Sequence, residues 1–203
     1  ILRGVPFDAT GDLAVSFLGL LNPYALVVGL LSLAMFLMHG AAYLALKTDG
    51  ALQHRLADWA SRLWVAWVLL FVVASVATFA TVPYLFRETG PSPFTWAFGV
   101  LLVAAAFLYP VALKQRRFGR AFLASSVAIA GQIGLAAATL YPRLVPARPD
   151  LARSLTIYNA SSTPRTLTTM LIIALIGMPL VIGYTVFIYR VFKGKTVLTP
   201  ESY

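Results

Sequence analysis

The chain has 203 residues, of which 60% are hydrophobic and only 11% charged, with a mean hydropathy of +0.82. A soluble domain is about 45–50% apolar and about 25% charged, so these figures exclude a soluble enzyme. No cysteine is present, which excludes disulfides, cysteine-ligated clusters, thioether-attached haem and a catalytic thiol within these residues.

In chain order, residues 1–22 are mixed and lack the basic start and short apolar run of a secretory leader, so no signal peptide is expected. A bilayer core of about 30 Å needs about 20 mostly apolar helical residues. Five segments meet that requirement: 23–46, 63–86, 94–113, 121–141 and 166–192. The expected organisation is an exoplasmic connector over 1–22 and a four-helix transmembrane bundle over 23–141. An exoplasmic loop over 142–165 then leads to a final transmembrane helix and cytoplasmic tail over 166–203. The fold class is therefore all-α integral membrane, with five transmembrane helices.

The formal charge of +9 raises the question of nucleic acid, and its placement answers it. Asp8, Asp12, Asp49, Asp58, Glu88, Asp150 and Glu201 all fall in connections or tails, and the basic residues sit at span ends. The excess is a membrane-flank charge, and no nucleic-acid partner is expected. One side of the membrane collects Lys47, Arg55, Arg62, Lys114, Arg116, Arg117, Arg120, Arg190, Lys193 and Lys195. The other has Arg3, Arg87, Arg143, Arg148, Arg153 and Arg165. Ten against six predicts the first side as cytoplasmic, with the segment's N-terminus outside and its C-terminus inside. Trp59, Trp64, Trp67, Tyr109 and Tyr189 are placed near the inner boundary; Tyr24, Tyr84, Trp96 and Tyr141 near the outer one.

Asn22-Pro23, Ser92-Pro93 and Thr163-Pro164 each set a capping side chain before a proline at the first helical position. These pairs open the three helices that run from outside to inside.

Intramembrane ionisable groups are costly and usually functional, and here they are few. His39 is the only histidine within a span. It is a candidate haem ligand, with Met35, Met38 or Met178 as conceivable partners, against the plainer role of a hydrogen-bonded packing residue. His54 falls in the cytoplasmic connection and is read as solvated. Gln132, near the middle of the fourth span, could line a water or proton path, but interhelical hydrogen bonding is the commoner use. Ala130, Gly134 and Ala138 beside it form a stripe of small residues suited to close helix approach. Gly177, Pro179 and Gly183 should loosen or kink the fifth helix. No Walker loop, GxGxxG turn, metal-binding histidine pair or serine triad occurs. No catalytic, cofactor-binding or metal-binding residue is assigned. A fragment of a membrane carrier or channel is the alternative on these grounds, weakened by the lack of a mid-depth carboxylate.

Residues 154–167, SLTIYNASSTPRTL, run into a helix ending in YRVFKGK at 189–195. Upstream lie RGVP at 3–6, LNPY at 21–24, HGAAYL at 39–44 and LKT at 46–48, with YP at 141–142 closing the fourth span. In this order the pieces resemble subunit II of the cytochrome bd quinol oxidases, along the whole chain. The resemblance implies about four further helices ahead of this part, so that these residues form the C-terminal portion of the subunit, one four-helix bundle plus a peripheral C-terminal helix. It also implies a complex in a prokaryotic inner membrane that oxidises quinol and reduces dioxygen to water. In that complex two b haems and one d haem are held by the larger subunit I, and subunit II stabilises the assembly without ligating haem. A quinone or lipid is implied in the other half of the subunit, and a small accessory subunit among the partners.

Overall fold

The structure is a computed structural model describing residues 2–7, 14–87 and 92–195. Asp8, Asp12, Glu88 and Glu201 lie outside the described residues. Helix α1 (Pro23–Lys47) opens as its sequence dictates: the Asn22 side chain accepts the Ala25 N–H at 3.0 Å, and Pro23 takes the first helical position. The same device opens α4 (Pro93–Lys114) at Ser92 and α6 (Pro164–Val191) at Thr163. Between them lie α2 (Gly50–Thr81), the single turn α3 (Tyr84–Arg87) and α5 (Phe118–Leu140). Helices α1, α2, α4, α5 and α6 are long and apolar enough to cross a membrane.

The second helix departs from expectation at both ends. It starts at Gly50 rather than residue 63, because Asp49 receives the Gly50 N–H and the polar stretch that follows is amphipathic. Gln53, Leu56, Ala57 and Ala60 recur at helical spacing and pack inward, while Arg55, Asp58 and Trp59 face out. A hydropathy window reads only the apolar part. The 32 residues measure about 48 Å, so the first turns project well beyond a 30 Å core. At the other end the helix stops at Thr81, since Pro83 has no N–H to continue the ladder.

Two antiparallel hairpins make the bundle. Helices α1 and α2 are joined by Thr48-Asp49, where the buried Gln53 amide donates to Ala45 O at 2.8 Å and Thr48 O at 2.9 Å. Helices α4 and α5 are joined through Gln115–Arg117, with Arg116 in the left-handed region (φ 56°). Helix α1 lies against both α2 and α5, and α2 meets α4 over a shorter stretch. The shared core is rich in alanine: Ala34, Ala41, Ala42, Ala45 and Ala60, then Ala105, Ala121, Ala124 and Ala128. Such residues let helix backbones approach, which matters in lipid, where apolar surface alone gives little reason to associate.

Where the chain leaves the bundle it adds four short strands. β1 (Val5–Pro6) pairs in parallel with β3 (Ala147–Arg148), and β2 (Arg143–Val145) pairs antiparallel with β4 (Leu155–Thr156). The β1–β3 pair thereby ties residues 5–6 to 147–148 at the end of the bundle where α1 begins. Ser154 is buried there, accepting the Ala147 N–H and donating to Leu151 O. Helix α6 leaves this platform with no buried residue along its length, the peripheral helix expected. It stays helical through Pro179.

Candidate functional site

The polar groups inside the bundle are placed one by one by the helix faces that carry them. On α5, Ser125, Ala128 and Gln132 share one face by the 3.6-residue period, and that face meets α1 and α2. His39 on α1 reaches Ser125, with Nδ1 to Oγ at 2.8 Å. The Ser125 hydroxyl proton is committed to Phe122 O at 2.8 Å, which makes the imidazole Nδ1–H the donor to Oγ. The ring also stacks on Phe122, with centroids 4.6 Å apart and planes 27° from parallel. About two turns further along, Gln132 Oε1 accepts the indole N–H of Trp67 at 3.0 Å, joining α5 to α2.

Three more bonds complete the pattern. The Tyr109 hydroxyl on α4 donates to Met38 O on α1 at 3.1 Å. Trp64 Nε1 on α2 donates to Ala106 O on α4 at 3.0 Å. Tyr24 on α1 lies 3.0 Å from Thr78 Oγ1 on α2, whose own proton goes to Ala74 O, so the phenol is the donor. Each of these bonds joins a different pair of helices. Helices α4 and α5 meet instead through small residues: a Cβ on Gly131 would fall 3.1 Å from Leu102 N and 3.2 Å from its Cα.

Several expectations are corrected here. Trp67 and Tyr109, placed near the inner boundary, are 2% and 1% exposed and are core residues bridging helices. Tyr24 is buried as well. In the small-residue stripe Ala130 faces outward, and the close approach is made by Gly131, with Gly134 under the Phe98 ring. His54, read as merely solvated, pairs with Arg116 Nη1 at 2.7 Å across the two turns. The structure thus engages His39 and Gln132 with α5 and α2 partners that sequence reasoning missed. The seven-residue spacing of Ser125 and Gln132 was the available signal for the shared face.

A cavity of about 400 Å³ opens at the end of the bundle where α1 begins. Tyr24, Leu31, Phe71, Thr78, Gln132 and Thr139 are among its walls, which are mostly apolar. Gln132, whose Oε1 accepts the Trp67 indole N–H, stands in its wall. Ser75, Thr78 and Thr139 each turn their hydroxyl back onto their own helix, at Phe71, Ala74 and Ala136.

The haem-ligand candidates stand apart from this cavity. None of His39, Met35, Met38 and Met178 is among its lining residues. Met35 and Met38 are packed in the core on the same helix as His39, where they cannot oppose it across one iron. Met178 stands on the outward-facing α6. Among the described residues, no three His, Asp or Glu side chains gather as a metal site.

The family model for cytochrome bd terminal oxidase subunit II matches residues 1–192. The chain is 30% identical over 224 residues to a probable cytochrome oxidase subunit 2 of Haemophilus influenzae, covering 96% of this chain and 59% of that protein. To the cytochrome bd ubiquinol oxidase subunit 2 of Bacillus subtilis it is 28% identical, over 96% of this chain and 57% of that one. To the cytochrome bd-I ubiquinol oxidase subunit 2 of Escherichia coli it is 27% identical, over 100% and 61%. The chain therefore spans about three fifths of the length of these relatives. The bd oxidase of Geobacillus thermodenitrificans shares the fold, with a TM-score of 0.74 at 20% identity over 93% of this chain and 56% of that one. With a family match running through every helix described, this multi-pass membrane chain belongs to the cytochrome bd terminal oxidase subunit II family.

Proposed function

We propose that this chain is a structural, non-haem-ligating part of a bd-type terminal oxidase that oxidises quinol and reduces dioxygen to water. The haems b and d sit in a larger partner subunit, against which these helices present a broad apolar face. The observation that supports this reading is the state of the bundle's polar groups. The two candidates singled out by residue type, His39 and Gln132, are each bonded to a neighbouring helix. A group held in that way locks helix positions and does not need a cofactor to satisfy it. The cavity beside Gln132 gives the subunit a second role, as one wall of a space for lipid or quinone. The Lys- and Arg-rich end faces the cytoplasm of a prokaryotic inner membrane, by the charge asymmetry. A carrier or channel is not favoured, since the family match points to an oxidase.

The test is purification of the full-length subunit from its own membrane in mild detergent. A haem-bearing partner and quinol-dependent oxygen uptake are expected to accompany it; failure to recover both overturns the reading. In the same preparation, His39→Ala should leave all haem absorption bands in place. Loss of one band from an intact complex would make His39 a ligand.

A further inference from the structure

Two stretches that carry the family resemblance, 46–48 and 189–195, lie far apart in the sequence, yet the fold brings them together. Helices α1 and α6 both end at the Lys- and Arg-rich face, each with unsatisfied carbonyl groups in its last turn. Lys47, in the last turn of α1, extends its ammonium to the end of α6, donating to Phe192 O at 2.8 Å and Gly194 O at 3.2 Å. Gly194 has φ 107°, a left-handed conformation that side-chain-bearing residues rarely adopt, and its carbonyl is one of the two that Lys47 reaches. Next along, Lys195 Nζ lies 2.8 Å from Asp49 Oδ1. Asp49 also receives the first N–H of α2, so three helix ends share one small polar cluster. Above it, Tyr189 meets Tyr43 edge-on, with ring centroids 6.5 Å apart.

The rest of α6 offers nothing comparable. None of its residues is buried against the described chain, and an apolar helix surrounded by apolar lipid gains little by packing on another. A cation at a helix C-terminus, by contrast, offsets the negative end of the dipole and satisfies orphan carbonyls. An exposed ion pair contributes little alone, so Lys47 is the stronger element and Asp49–Lys195 the weaker.

We propose that Lys47, with the Asp49–Lys195 pair, forms a clasp that sets where α6 stands relative to α1, acting as a strap on a helix that buries none of its residues against the described chain. The experiment uses the full subunit in its assembled complex. Spin labels at Leu52→Cys and Val191→Cys, both exposed, report the separation of the α6 end from the start of α2, which two residues separate from the end of α1, in a segment that has no native cysteine. The wild type should give one narrow distance distribution. Lys47→Met should lower the ratio of clasped to displaced population about tenfold, the order expected for losing hydrogen bonds from a charged donor. Lys47→Arg should retain most of it. Asp49→Lys should broaden the distribution a few-fold less, and the exchanged pair Asp49→Lys/Lys195→Asp should restore it. The pair sits on the exposed rim, so these variants report even if Lys47→Met does not assemble. Unchanged distributions in Lys47→Met and Asp49→Lys, or no recovery in the exchanged pair, would overturn the proposal.

Discussion

Gln132 illustrates how little a residue type says until its neighbour is known. A mid-span glutamine suits a proton path or a helix contact equally well, and the Trp67 indole 3.0 Å away favours the contact. Removing its amide leaves the Trp67 N–H buried without an acceptor, which costs about 1–3 kcal/mol. Gln132→Leu should therefore lower the thermal midpoint of the purified complex while oxygen uptake per assembled complex stays near wild type. Selective loss of proton uptake would instead give Gln132 a conducting role. Ser125 was missed in the sequence because a serine within an alanine-rich helix has no distinguishing composition. Only its register with Gln132 on α5 points inward.

At the scale of the helices, α4 and α5 are held by shape. The Leu102 backbone occupies the space a side chain at position 131 would need, and a backbone in a helix cannot turn aside as a side chain can. Gly131→Leu should destabilise the bundle by about 1–3 kcal/mol. Ala130→Leu, one residue away and facing outward, should be tolerated. Thermal unfolding of the two variants side by side measures the contrast, and equal stability would place the α4–α5 contact elsewhere. The helix starts at Asn22, Ser92 and Thr163 were legible because capping is local chemistry: an oxygen, then a proline, with the acceptor three residues from its donor. The start of α2 was not. Its first turns are held by burial of Gln53, Leu56 and Ala60 against neighbouring helices, and an average hydropathy cannot register one buried face.

For the whole molecule, the lysine and arginine excess predicts which end faces the cytoplasm. Cysteines introduced at Leu52, near the charged end, and at exposed Tyr158, on the opposite loop, should label differently with a membrane-impermeant maleimide. In intact spheroplasts Tyr158→Cys should react and Leu52→Cys should react only after lysis; the reverse pattern would invert the topology. The clasp belongs to this scale too. The hydrogen bond from Lys195 holds the Asp49 carboxyl below its ordinary value. Its contribution is full above the ordinary carboxylate range and disappears as pH falls through the lowered value.

Five apolar lengths, three capped helix starts, the asymmetry of positive charge and the family resemblance were determined by the sequence alone. Each rests on local chemistry or on composition summed over about 20 residues, and neither depends on what packs beside it. The tertiary structure alone decided which interior polar groups pair, that Trp67 and Tyr109 are bridges within the core, and that 46–48 meets 189–195. Those facts depend on the rotation of one helix against another. A rotation of one residue, about 100°, turns a buried donor toward lipid, and nothing in a helix's own sequence sets that angle without its neighbours.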